Sequence, residues 1–417
     1  MDKRAEEQKG TRFAMNMPTS RRSFLRNAGL GSLGALAAGG LLNAAPAEKP
    51  DEKILGASGV KTTQRPKGVW APVSDRKIRV GIVGFGVCQF GAAFGFQNHP
   101  NVTVAAVSDL IPERCQNLAK ACQCEKTYPS LEELVKDDTL EAVFVATDAP
   151  NHAKHCMDVL KHGKHVACAV PAVWGSLEDA EKLLAAVKAS GLKYMMMETS
   201  AFHEDCHAMR QIHRAGGFGK LIYSEGEYFH HCPQPIASFR DWRVGLPPQW
   251  YPTHSNAYYV CVTGGSFTDV ACLGMPSIIK HLQPENNRYK NQFGTEVALL
   301  RTSEGGMARM VVSWDSHEPG DEAGRVRGQR GSMWGMRYTG DERKLPDLAR
   351  PPLPPKVATG GHGGAHGNLT EEFISAILED RKPLVDIVLA LNMTVAGIVA
   401  HQSAIKDGER MKIPQFT

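Results

Sequence analysis

Lys77-Ile-Arg-Val-Gly-Ile-Val83 runs directly into Gly84-Phe85-Gly86, and the next apolar run, Val102 to Ser108, ends at Asp109. Strand, glycine turn, helix, strand, acid is the order of a βαβ unit. Parallel strands need a crossover and bury both faces, so this feature commits the chain to an α/β architecture. In such a unit Gly84 permits the tight turn. Gly86 lets the backbone approach a pyrophosphate, and the helix beginning near Val87 supplies N–H donors. Asp109 lies 23 residues beyond Gly86. There its carboxylate can accept hydrogen bonds from a ribose diol and repel a 2′-phosphate, which favours NAD over NADP. Arg114 is close enough to soften that preference, and helix capping is the competing use of Asp109. The third glycine of such motifs falls at position 89, which is Gln89.

The alternation continues down the chain. A helix is expected over about 87–98, and Pro112 opens another. Ser130-Leu-Glu-Glu133 is a capping box, and Ala142-Val-Phe-Val-Ala146 is a buried strand. A helix from Asn151 stops at Gly163, a strand follows at His165, and Ser176 caps a helix that stops at Gly191. Lys193 to Met197 is the sixth strand. After Glu198 the strands lengthen and alternate, and Ser303-Glu-Gly-Gly306 joins two of them as a hairpin. The fold class is therefore α/β. It combines an N-terminal Rossmann, doubly wound parallel sheet with a C-terminal α/β domain on an open, mostly antiparallel sheet. The expected division is 76–197 for nucleotide binding and 198–417 for substrate binding and oligomerisation.

The first 75 residues read differently. Ser20-Arg21-Arg22-Ser23-Phe24-Leu25-Arg26 resembles a twin-arginine export signal. A Gly/Ala-rich apolar stretch follows to Leu42, and Ala45-Pro46-Ala47 has the form of a cleavage site. Residues 1–47 are thus expected to be a signal peptide read by the twin-arginine translocation machinery, delivering the protein to the periplasm. Residues 48–75 are a linker. The net charge of +4 carries no nucleic-acid footprint, and no run is expected to form a stable membrane span. Ten cysteines are scattered, many within apolar runs, and read as small core residues.

Val80–Gly86, Ala142-Val-Phe-Val-Ala-Thr147, His152 and Gly163-Lys-His-Val166 together resemble the Gfo/Idh/MocA oxidoreductases. The resemblance covers everything after residue 76. It implies NAD(P)-linked hydride transfer on sugars or polyols, with Thr147 and His152 lining or supporting the nicotinamide side. Its open sheet implies a homo-oligomer. Members of that superfamily commonly carry Glu-Lys-Pro after the fifth strand, where the lysine moves a proton. This chain has Ala169-Val170-Pro171, and Val170 cannot do so.

Further pieces are similar to the NAD-dependent glycoside hydrolase family 109, of α-N-acetylgalactosaminidase type. They are Met195-Met-Met-Glu198, Glu227-Tyr228-Phe229-His230, Tyr251-Pro252-Thr253-His254 and the loop Gly360-Gly361-His362-Gly363-Gly364. The resemblance implies a redox-neutral cycle: oxidation at a sugar C3, loss of the C2 proton, departure of the glycosidic oxygen, addition of water and return of the hydride. Histidine and tyrosine suit that acid–base work. The candidate catalytic residues are Tyr228, His230, Tyr251 and His254, with Glu198 orienting and His362 in a substrate loop. An exported enzyme has no cytoplasmic pool with which to recycle coenzyme, which favours a retained cofactor. Three functions stay open: a redox-neutral sugar oxidoreductase, a glycosidase, and a non-catalytic sugar-binding protein that contains NAD. No metal is expected. His203-Glu-Asp-Cys-His207 fits a zinc-protease pattern, but no third ligand follows at the required spacing.

Overall fold

The structure, a computed structural model, describes residues 68–86, 89–317, 322–342 and 344–417. The expected signal peptide, the linker as far as residue 67, and Val87 lie outside the described residues. Lys53–Thr417 forms one compact unit.

Among the described residues the strands form two sheets. The first contains β1 (Ile78–Val83), β2 (Val102–Ser108), β3 (Thr127–Tyr128), β4 (Ala142–Val145), β5 (His165–Cys168) and β6 (Tyr194–Met196). All its pairings are parallel, in the order β3-β2-β1-β4-β5-β6. The order reverses between β1 and β4, so a crevice opens beyond their carboxyl ends, where open α/β sheets bind ligands. Ile78, Val80, Ile82 and Val143 to Val145 are buried, as strands covered on both faces must be.

The connecting helices follow their sequence signals with two exceptions. Ser130 precedes its short helix, but its side chain makes no cap bond, so the expected capping box does not form. The helix expected over 87–98 is a single turn, α1 (Phe90–Ala93), followed by a 3-10 turn at Phe96–Asn98. Gln89 at φ 56° and Gly95 at φ 75° put left-handed residues on both sides of α1, and a right-handed helix accommodates neither. The others are α2 (Pro112–Ala121), with proline in its first turn, α3 (Leu131–Leu134), α4 (His152–Lys161) and α5 (Leu177–Ser190). The Ser176 hydroxyl accepts from the Asp179 N–H at the start of α5, and Gly191 at φ 66° ends it.

The second half begins with α6 (Glu204–Arg214) and β7 (Leu221–Phe229), then α7 (Thr253–Thr263) and β8 (Phe267–Pro276). β9 (Phe293–Thr302) and β10 (Met307–Ser313) form the expected hairpin. β11 (Glu322–Gly328), β12 (Gly331–Trp334), β13 (Arg337–Gly340), α8 (His366–Leu378), α9 (Ile387–Ile405) and β14 (Met411–Lys412) complete the fold. The eight strands run β13-β12-β11-β7-β10-β9-β8-β14, antiparallel except for β10 on β7. One face is covered by helices. The other leaves Leu273, Met275, Leu299, Met307 and Trp334 exposed. α9 is long and apolar enough to cross a membrane, but 83% of it is buried in the core.

Every residue of α7 is buried. Two glycines paired across β7 and β11, Gly226 and Gly324, seat this helix on the sheet. A Cβ on Gly226 would stand 1.9 Å from the Ser255 carbonyl oxygen, and one on Gly324 would stand 2.0 Å from the Tyr258 ring. No other residue type allows that approach. The Gly226→Ala variant should therefore lose about 1–3 kcal/mol of stability, the range for overpacked cores. Thermal melting should show the loss as a drop of several degrees, and an unchanged midpoint would mean that α7 does not rest on β7.

Candidate active site

The glycine turn folds as expected, but its glycines divide the work differently. Gly84, at φ 97°, packs against the end of β4, where a Cβ would stand 2.3 Å from the Ala146 carbonyl oxygen. Gly86, at φ 62°, has nothing within 4 Å of a notional Cβ, so its backbone is open to a ligand. The third glycine is Gly91, two residues later than the usual spacing. A Cβ there would stand 2.3 Å from the Gly84 carbonyl oxygen. Gly91 thus permits the close helix–turn packing that Gln89 could not. Asp109 does not cap α2, whose N-cap is Ile111 with no side-chain cap bond. The Asp109 carboxylate accepts from the Phe85 N–H at 2.8 Å and the Ile111 N–H at 2.9 Å, and it also lines the cleft.

That cleft encloses about 190 Å³. Its floor is Gly84, Phe85, Gly86, Asp109 and Thr147; its far wall, from Ala237 to Arg243, comes from the second half of the chain. Turn, open glycine and acid suit a dinucleotide. Thr147 lines the cleft and its hydroxyl lies 2.8 Å from His155 Nδ1. His155, which the sequence reading passed over, also lines it. His152 does not. It is 1% exposed, with Nδ1 2.8 Å from the Pro171 carbonyl and Nε2 3.2 Å from the Thr147 carbonyl. Burial disfavours its charged form, but Cys168 and the two carbonyls outweigh that and raise its pKa to about 9. The expected cofactor contact is therefore a brace for Thr147 and Pro171, because a ring with both nitrogens committed to carbonyls has none left to offer.

The five candidate catalytic residues do converge. α7 carries His254 onto the inner face of the sheet, where its ring meets that of Tyr228 edge-on at 4.6 Å. The Tyr251 ring lies 5.6 Å from His254 and 6.3 Å from Tyr228. Tyr228 Oη is 3.4 Å from His230 Nδ1. Tyr228, His230 and Tyr251 line a small cavity that shares Arg243 with the dinucleotide cleft. His254 Nδ1 lies 2.8 Å from Glu198 Oε1, and Glu198 is fully buried. Glu322, absent from the sequence reading, is the second carboxylate, 3.6 Å from the same nitrogen. It pairs with Tyr228 in the β11–β7 register, a relation that no spacing in the sequence displays.

Burial alone would lower the pKa of His254, but Glu198 and Glu322 outweigh it and hold it at about 9. Burial would raise the Glu198 carboxyl, yet His254 keeps it below its ordinary value. Burial, Tyr251 and Glu322 push the Tyr228 phenol well above its usual range. At neutral pH the centre is a charged imidazole between carboxylates, beside a phenol that keeps its proton. Both are donors. His362 lies on the glycine–histidine loop at φ 48°, its Nδ1 2.9 Å from His366 Nε2 and its ring 5.6 Å from that of Phe90, which lines the cleft. His366 is the first residue of α8. His203 and His207 do not form a chelating pair. His207 faces Arg210 and Gln211, while His203 precedes α6 and faces Glu322 at 3.4 Å.

Comparison with known proteins agrees with this geometry. Residues 78–198 match the model of the oxidoreductase family with an NAD-binding Rossmann fold, GFO_IDH_MocA. A glycosyl hydrolase family 109 protein from Solibacter usitatus (strain Ellin6076) is 24% identical over 96% of this chain and 97% of its own. Levoglucosan dehydrogenase in complex with NADH and L-sorbose superposes with a TM-score of 0.66 at 15% identity, covering 82% of this chain and all of that one. The apo scyllo-inositol dehydrogenase of Lactobacillus casei gives 0.63 at 17% identity, over 81% and 99%. Substitution of Gly91 by alanine should push α1 from the turn and weaken NADH binding about tenfold, the equivalent of about 1.4 kcal/mol of strain. Fluorescence titration with NADH measures this, and unchanged affinity would deny Gly91 its role. Residues 78–198 thus carry the NAD-binding Rossmann fold of the Gfo/Idh/MocA oxidoreductase family, and the chain over nearly its whole length is similar to a family 109 protein.

Proposed function

We propose that this protein is an exported oxidoreductase that retains NAD and acts on a sugar or sugar derivative through a redox-neutral cycle of hydride loss and return. One observation carries the proposal. A cleft floored by the glycine turn and Asp109 opens near a pair of proton donors, Tyr228 and His254, while Val170 offers no amine where the superfamily it resembles commonly has lysine. A nicotinamide held in the cleft supplies the hydride acceptor and donor. In the oxidation half the substrate hydroxyl would pass its proton to Tyr228 as Tyr228 passes its own to His230, 3.4 Å from its hydroxyl, and in the reduction half the proton would return along the same path. His254, kept charged by Glu198 and Glu322, stabilises the substrate oxygen electrostatically. Asp109 favours NAD over NADP.

The same reading divides the chain near residue 198 into a nucleotide-binding part and a part for substrate and self-association. The exposed face of the second sheet suits a homo-oligomer. It combines an apolar patch with Glu225 and Glu227 paired to Arg309 and Arg325.

A second reading is a glycosidase of the family 109 type. The names of the full-length relatives and the Tyr251-Pro252-Thr253-His254 motif favour it. One set of measurements separates these readings. Purified protein, denatured, should release NAD(H), and the native protein should change absorbance at 340 nm when a substrate sugar is added without free NAD. Release of nitrophenol from a nitrophenyl glycoside, abolished in His254→Ala, would establish the glycosidase; no release across a broad panel would leave the oxidoreductase. Bound NAD that never cycles with any sugar would overturn both and leave a sugar-binding protein.

Export follows from Arg21-Arg22 and the stretch behind it. Replacing both arginines with lysine should hold the full-length chain in the cytoplasm, as seen by fractionation. Unchanged export of that variant would remove the twin-arginine assignment.

A further inference from the structure

We infer that Glu198, His254 and Glu322 form a binding site for a divalent first-row transition metal ion such as Mn²⁺ or Zn²⁺. Their three donor atoms, one from each residue, all lie within 4.8 Å of one another. His254 Nδ1 is 2.8 Å from Glu198 Oε1 and 3.6 Å from Glu322 Oε2. Ligands bound to one ion at 2.0–2.2 Å stand about 3.0–3.5 Å from each other, so these separations need only small adjustment. A fourth donor is at hand, since His203 Nε2 is 3.4 Å from Glu322 Oε2. Imidazole and carboxylate together match Zn²⁺, Mn²⁺ or Fe²⁺ better than Ca²⁺, which takes oxygen ligands alone.

A second observation points the same way. Glu198 is 0% exposed, and its Oε2 has no hydrogen-bond partner. Unpartnered buried polar atoms carry a cost that a ligand removes. The cluster also lacks fixed positive charge. Among the described residues no lysine or arginine pairs with Glu198 or Glu322, and histidines are their sole cationic partners. Ser200 Oγ donates to Glu322 Oε2, and the Ser200 N–H donates to Glu198 Oε1, so both carboxylates are oriented from behind. Such support is what holds metal ligands in place.

The contrast with the other buried pairs is informative. His99–Glu371 and His401–Glu296 also join an imidazole to a carboxylate, at 2.8 and 2.7 Å. Each has one carboxylate and belongs to no such cluster, so a proton suffices. At His254 an ion would replace the proton on Nδ1, so the metal-bound form is an alternative to the charged imidazole and takes over its electrostatic part. It would sit beside Tyr228, whose ring meets that of His254 and which lines the small cavity. There it could polarise a carbonyl and acidify the neighbouring C–H. That role, unlike binding itself, rests on the hydride-transfer reading above.

The test uses the full protein, treated with a chelator and dialysed. Isothermal titration with Mn²⁺ and Zn²⁺ should give one site per chain, and Co²⁺ should develop visible d–d absorption from mixed N/O coordination. Glu322→Gln should weaken binding at least 100-fold, and His203→Gln about tenfold, as expected for a ligand and a peripheral donor. NADH titration and circular dichroism report whether each variant is folded, and His203→Gln, at the edge of the cluster, serves if Glu322→Gln is not. No stoichiometric binding below millimolar concentrations overturns the site. So does binding that survives unchanged in folded variants. Either result leaves the nucleotide-release experiment unaffected, so failure here and failure of the hydride-transfer reading are told apart.

Discussion

The close seating of α7 on the second sheet is the constraint on which the rest depends. A helix normally packs about 10 Å from a sheet, because side chains fill the space between. Here Gly226 and Gly324 face each other in register and remove those side chains, so the backbone of α7 descends onto the strands. That descent brings His254 to Tyr228 and to Glu322, the next cross-strand pair on the same face. It also explains why the first turn of a fully buried helix is polar. Asn256 donates to the Met393 carbonyl at 2.8 Å and Ser255 to the Pro252 carbonyl at 2.9 Å, which ties this turn to α9 and to the preceding loop.

Electrostatics then decides what the centre can be. His99–Glu371, His254–Glu198 and His401–Glu296 are buried histidine–glutamate pairs, and each joins segments distant in sequence. They act as staples whose value lies in specificity more than in net stability. The His254 pair differs through a second carboxylate and through its neighbours, a phenol and a histidine-bearing loop. Excess negative charge in a dry setting beside a nucleotide cleft is costly unless it does chemistry, and such sites are where function concentrates.

Much of this was legible in the sequence. Strand and helix order, the switch to long alternating strands after Glu198, and the convergence of Tyr228, His230, Tyr251 and His254 all follow from local pattern or motif. What escaped has identifiable causes. Gly91 was hidden because the turn is two residues longer than the usual spacing, and Gln89 in a left-handed conformation absorbs the difference. Glu322 lies in an unremarkable strand and acquires meaning through cross-strand register alone. His152 sits at the right place for a cofactor contact, but which way a ring turns depends on carbonyls from two other loops. A helix was expected over 87–98 from apolar content, which does not register the break at Gly95.

The last fifty residues reach back to the first sheet. His366, the first residue of α8, stacks on Phe94 at 4.3 Å, Thr370 donates to the Phe94 carbonyl at 2.7 Å, and Glu371 pairs with His99. β6 in turn is held where Met196 donates to the Val385 carbonyl. The packing around Phe94, His99 and β6 is therefore completed only by residues 366–385. Synthesis runs N-terminal first, but here the earliest sheet takes its last packing from the final helices, a contact of very long sequence separation. A chain truncated before residue 366 would keep every nucleotide-binding signature and still leave its first sheet unsupported, exposing Phe94 and Phe96 as a surface for aggregation.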